Sequence, residues 1–93
     1  MRTIKPSGRF TKDYRRVCKS HPSPTFERDF AALVDKLARD EILEPRFRDH
    51  QLTGNWRGHR DCHVRPDLVL IYRKPGRDTL LLVRLGSHSE LRL

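Results

Sequence analysis

The sequence predicts an α+β domain with helices on one face of a mainly antiparallel sheet. Three observations carry this: apolar residues recur twice at helical spacing before Asp40, continuous apolar runs fill the second half, and turn residues separate the segments. With 93 residues, one core and a single domain over 1–93 are expected.

Arg2 to Lys5 reads as a short strand, broken by Pro6, Ser7 and Gly8, with Ser7 placed to cap a helix. Phe10, Tyr14 and Val17 follow at spacings of four and three, one apolar stripe on a helix that carries Lys12, Arg15, Arg16 and Lys19 on its other faces. His21, Pro22, Ser23 and Pro24 interrupt the pattern, because proline cannot continue a helix and restrains the residue before it. A second helix begins near Thr25, its face formed by Phe26, Phe30, Leu33, Val34 and Leu37, so the two make a helical hairpin.

Arg46 to Gly58 has no period and reads as a loop. Gly58 to Val64 alternates as a polar strand, with His59, Asp61 and His63 on one face. Arg65 and Pro66 turn the chain into Asp67 to Lys74, whose run Leu68 to Tyr72 suits a central strand. Thr79 to Leu85 is the next strand, ended by Gly86 before a polar tail of Ser87, His88, Ser89 and Glu90.

A net charge of +8 calls for an acidic partner. It is uneven: residues 1–20 carry seven Lys or Arg against one Asp, 21–45 three against six acids, and 46–93 ten against five. Arg9, Lys12, Arg15, Arg16 and Lys19 on the first helix, with Trp56, Arg57 and Arg60, are the candidates for binding a polyanion such as RNA, Trp56 serving equally as a lid over the core. Cys18 and Cys62 lack a CxxC spacing and follow no signal peptide, so an intracellular, cytoplasmic, reduced protein is expected. The apolar runs are too short to span a membrane.

Cleaving an RNA phosphodiester without a metal requires a base for the 2′-hydroxyl proton, an acid for the leaving 5′-oxygen and a cation for the phosphoryl charge. His50, His63, Asp67, Arg84 and His88 supply those chemical types. A zinc site on His59, Asp61, Cys62 and His63 is the rival reading of the same segment. On a strand, His59 and His63 would stand roughly 13 Å apart and Cys62 would point away, so no metal is expected. No motif for an organic cofactor is present.

The run from Asp49 to Tyr72, DHQLTGNWRGHRDCHVRPDLVLIY, resembles the YafQ-like members of the RelE toxin family, and Arg84 to Leu91, RLGSHSEL, resembles that family's closing segment. The resemblance implies a RelE-like fold: an initial strand, two helices, then an antiparallel meander whose concave face binds RNA. It implies a metal-independent endoribonuclease that cuts messenger RNA in the ribosomal A site, the toxin of a type II toxin-antitoxin pair. His50, His63, Asp67 and His88 would be the acid-base residues, Arg84 would stabilise the phosphoryl transition state, and Asp61 would support them by orienting a histidine or holding Arg60. The basic residues of the first helix, with Trp56, Arg57 and Arg60, would be the contacts to RNA and the ribosome. The implied partners are a DinJ- or RelB-like antitoxin, the ribosome and its message, and operator DNA through the antitoxin complex. A ParE-type gyrase inhibitor is the alternative on the same fold, and its relatives generally lack this acid-base set; a plain RNA-binding module would leave the set without a purpose. Two departures bear on base preference: Leu91 is followed by Arg92 and Leu93 where the family often has an aromatic, and Leu68 stands where some relatives have tryptophan.

Overall fold

The computed structural model describes every residue of the chain except His21 and Pro22. The predicted break between the helices falls partly on those two residues and to that extent lies outside the described residues. Helix α1 spans Gly8–Ser20 and helix α2 Pro24–Ala38. Ser7 caps α1 by accepting the Phe10 amide at 3.0 Å, and Ser23 caps α2 by accepting the Thr25 amide, with Pro24 in the first turn, where its missing N–H costs nothing. The apolar stripes meet in an aromatic cluster of Phe10, Tyr14, Phe26 and Phe30, whose ring centroids lie 5.3 to 6.1 Å apart.

The sheet is ordered β1-β5-β4-β3-β2, with β1 at Thr3–Pro6, β2 at His50–Gln51, β3 at Arg60–Arg65, β4 at Leu68–Arg73 and β5 at Thr79–Gly86. Only β1 runs parallel to its neighbour, β5; the other pairs are antiparallel. Leu70, Tyr72, Leu80, Leu82 and Leu85 face the helices, while Val69 and Ile71 pack on the opposite face with Leu91, Leu52, Trp56 and Val83. Strand β4 therefore buries both faces, which accounts for its unbroken apolar run.

Three expectations are corrected. The loop before β3 contains two 3₁₀ turns, Pro45–Phe47 and Gly54–Trp56, and the two-residue strand β2 between them. Strand β3 starts at Arg60 rather than Gly58, so His59 lies outside it. The polar tail is a short helix, α3 at His88–Leu91, closed by a capping box in which Ser87 Oγ accepts the Glu90 amide and Glu90 Oε1 accepts the Ser87 amide.

Strand β1 covers only the first half of β5, to Leu82, and α1 supplies the hydrogen bonds beyond it. The Ser7 amide donates to the Leu82 carbonyl, Ser7 Oγ donates to the Val83 carbonyl at 2.8 Å, the Leu85 amide donates to Asp13 at 3.0 Å, and Arg16 reaches the Leu85 carbonyl. A half-open strand edge is thus closed by one helix and its capping residue. Because Ser7 both caps α1 and ties it to β5, Ser7→Ala should cost about 2 kcal/mol, the upper end for an N-cap. Urea unfolding checks this; a loss of a few tenths, the size for a dispensable surface hydroxyl, would show that the tie does not hold the helix.

Candidate active site

The face of the sheet away from α1 and α2 carries an open groove of about 890 Å³, whose walls include Arg9, His50, Trp56, Asp61, Arg84 and His88. Each arrives from a different element. His50 comes from β2 and Asp61 from β3, directly opposite it in the ladder. Arg84 comes from β5, where Tyr72 opposes Leu82 and Ile71 opposes Arg84, leaving Val83 as an extra residue that bulges the strand. His88 opens α3, fixed by the capping box. His63 lies farther along β3 on Asp61's face, its ring 4.9 Å from that of His88.

Asp61 is the electrostatic centre. It is 1% exposed, and burial pushes its carboxyl above the usual carboxylate range, against the pull of His50, His63 and His88. His50 Nδ1 stands 3.0 Å from Asp61 Oδ1 but donates its one hydrogen to the Arg48 carbonyl at 2.7 Å, so Asp61 Oδ1 has no hydrogen bond among the described residues. A carbonyl can only accept, so Nδ1 carries a proton, and the tautomer this selects is the one whose lone pair lies on Nε2. Of the two roles expected for Asp61, the histidine contact is the one present: Arg60 pairs instead with Asp49, which also accepts the Tyr72 hydroxyl.

Arg84 is held by Asp13, an acid outside the set of residues predicted for the site. Arg84 Nε donates to Asp13 Oδ2 at 2.7 Å and Nη2 to Oδ1 at 3.3 Å, while the Leu85 amide donates to the same carboxylate. Asp13 is 4% exposed; burial raises its pKa, but the Arg84 and Leu85 hydrogen bonds and the charges of Arg84 and Arg16 outweigh that and hold it below the usual range. The pairing with Asp13 raises the pKa of Arg84 in turn. The sequence does contain a signal for it: with Phe10, Tyr14 and Val17 on one helical face, Asp13 falls inside the apolar stripe, where a carboxylate requires a partner.

The remaining candidates divide. Arg9 reaches the groove, and Lys12, Arg15 and Lys19 are exposed on α1, whereas Arg16 is engaged by Asp13 and Glu90. Trp56 is half-buried against Leu91 and donates its indole N–H to the Leu91 carbonyl, so it is both lid and groove wall. Arg57 is exposed in the loop. Arg60 alternates away from Asp61 onto the Tyr72 side of the sheet and is not brought to the groove. Asp67 is exposed in the β3–β4 turn, beside Ser87 and Glu90 on a separate shallow cavity, and is not brought into the ring around Asp61.

The buried carboxylate gives a signed pH dependence. Asp61 binds its proton more tightly folded than unfolded, so folding stability should increase as pH falls through its raised native pKa. Asp61→Asn should remove that increase and raise the urea midpoint near pH 7, where the wild-type charge is buried at a cost. Unfolding curves at pH 5 and 7 test this, and an Asn variant less stable than wild type at pH 7 would mean that the carboxylate supports the fold.

The chain matches, over residues 2–93, the family described as bacterial toxin of type II toxin-antitoxin system, YafQ. It is 34% identical over 91 residues to the mRNA interferase toxin YafQ of Escherichia coli K12, covering 97% of this chain and 95% of that one. Its structure is similar to that of the E. coli DinJ-YafQ complex, with a TM-score of 0.82 at 34% identity and 98% of each chain covered. It is similar also to a metal-bound toxin from Helicobacter pylori, with a TM-score of 0.85 at 41% identity, covering 98% of this chain and 99% of that one. The chain belongs to the YafQ family of toxins from bacterial type II toxin-antitoxin systems.

Proposed function

We propose that this chain is an mRNA interferase that cuts messages on the ribosome by acid-base chemistry. The observation that carries the reading is the convergence of three histidines on one buried carboxylate, beside an arginine on the wall of an open groove. An inhibitor of a DNA enzyme has no need of that set. The relatives named for interferase activity support the same reading.

In the proposed reaction the 2′-hydroxyl of the message gives its proton to a base, its oxygen attacks the adjacent phosphorus, and the bond from phosphorus to the 5′-oxygen breaks. The products are a 2′,3′-cyclic phosphate and a 5′-hydroxyl. His50 is the base, because the Arg48 carbonyl fixes its proton on Nδ1 and leaves Nε2 to accept; Asp61, 3.0 Å away, stabilises the imidazolium that results. His88 is the acid that protonates the leaving oxygen, with His63 packed against it. Arg84, gripped through Nε and Nη2, keeps Nη1 for the charge growing on the phosphoryl oxygens. Asp67, outside this ring, is assigned no proton transfer.

Among the described residues no three His, Cys, Asp or Glu side chains are arranged to hold a metal ion, and no step runs through one. None of the described helices is long and apolar enough to cross a membrane. Action on ribosome-bound messages would place the protein in the cytoplasm. A DinJ-like antitoxin, acidic where it meets this surface, would restrain the toxin and carry the pair to operator DNA.

Induction of the chain alone should arrest growth, and mapped message ends should appear only when ribosomes are present and be unaffected by EDTA at levels that leave ribosomes intact. His50→Ala and His88→Ala should each slow single-turnover cleavage by about 100-fold or more, the range for losing a positioned acid or base. Equal cleavage of free RNA would remove the ribosome from the reading. Full activity of a folded His50→Ala protein, with loss in Asp67→Ala, would transfer the base to Asp67.

A further inference from the structure

We propose that a second, arginine-lined cleft beside His63 is a phosphate subsite that holds the message at the phosphodiester next to the one cleaved. The cleft, of about 380 Å³, is walled by Arg46, Phe47, Arg48, His63 and Arg65 among others, and no acidic side chain among the described residues lines it. The inference rests on the proposed cleavage site, because the two cavities meet there: His63 borders the cleft, and its ring lies against that of His88, which borders the groove. A single strand seated on His88 and Arg84 has one charge per nucleotide, and the cleft offers the adjacent charge its cations.

The arginines are available for this. Arg46 touches Glu44 at 3.4 Å and Arg65 touches Asp29 at 3.2 Å, both in exposed pairs of the kind that yield readily to a better anion. Arg48 has no carboxylate partner among the described residues. The Arg46 guanidinium lies over the Phe47 ring at 4.6 Å, which fixes its plane and leaves its N–H edge for a phosphate. Arg48 sits in the left-handed region at φ 48°, a conformation that glycine or asparagine adopts at lower cost. Its carbonyl holds His50 from there while its side chain lines the cleft, so one strained residue serves both cavities. Continuity with the histidines favours RNA over an acidic peptide as the occupant.

The test is a cycle between protein and message. Wild type is compared with Arg48→Asn/Arg65→Gln, in which asparagine suits the left-handed backbone, on ribosome-bound messages carrying one neutral methylphosphonate linkage beside the cleaved bond. Affinity of wild type should fall about tenfold with the neutral linkage, as expected when a charge-assisted contact is lost. The double variant should be about tenfold weaker on the ordinary message and lose much less than wild type from the neutral linkage, since only Arg46 is left to meet that phosphate. Binding of a free strand made uncleavable by a 2′-deoxy substitution reads the same cycle without cleavage, so a failure of the catalytic reading is seen separately. There the salt slope of binding should drop by about 0.7 for each lost phosphate contact. Equal penalties from the neutral linkage in both proteins would overturn the subsite. Unchanged RNA binding with weakened binding of the cognate antitoxin would overturn it too, and would assign the cleft to a protein partner.

Discussion

The grip of Asp13 on Arg84 is the constraint on which the fold and the site both depend. One carboxylate on α1 satisfies the Leu85 amide on an unpaired strand edge and two guanidinium nitrogens on the wall of the groove. Both partners are largely buried, with 6% and 15% of their side-chain surfaces exposed, so removing either one leaves a desolvated charge, a loss of about 3 to 5 kcal/mol for a buried pair. The helix that carries the basic surface is thereby fixed in register with the strand that carries Arg84.

The opposite wall follows a different logic. Asp61 is buried with no hydrogen bond to one of its oxygens among the described residues, a local violation of polar satisfaction that natural proteins tolerate where function demands it. Its neighbours are held by local contacts: His50 by the Arg48 carbonyl, and His88 by its place at the start of α3, which the capping box fixes, and by the His63 ring. Such anchors are short and local, which lets a small sheet with a modest second core present four ionisable groups in one place.

Much of this architecture is legible in the amino-acid order. The two helical stripes, the caps at Ser7 and Ser23 and the double-sided burial of β4 follow from spacing and composition, because long periodic segments leave a clear trace. Strand β2 leaves none: two polar residues have no period, and only the ladder opposite β3 defines them. Helix α3 does leave one, since Ser87 and Glu90 have the spacing of a capping box, but Ser-His-Ser-Glu lacks an apolar face and reads as a tail. In the site, residue type and resemblance point to His50, His63, Arg84 and His88, whereas their ordering around Asp61 depends on cross-strand pairing that no local pattern reports. Asp67 and Arg60 show the converse: proximity in a motif does not place a side chain on the face its neighbours share, because a turn or a single step along a strand reverses it.

The coupling of Asp13 to Arg84 is tested most directly by a double-mutant cycle on the cleavage step itself. Single-turnover cleavage of ribosome-bound message would be measured for Arg84→Ala, Asp13→Asn and the double variant, each confirmed folded by its unfolding transition. Arg84→Ala should slow cleavage by roughly 100-fold, the size for one preorganised donor, and Asp13→Asn by a smaller factor, with the double variant no slower than Arg84→Ala alone. Multiplication of the two single effects in the double variant would contradict the account, since Asp13 would then act on cleavage by a route that does not pass through Arg84.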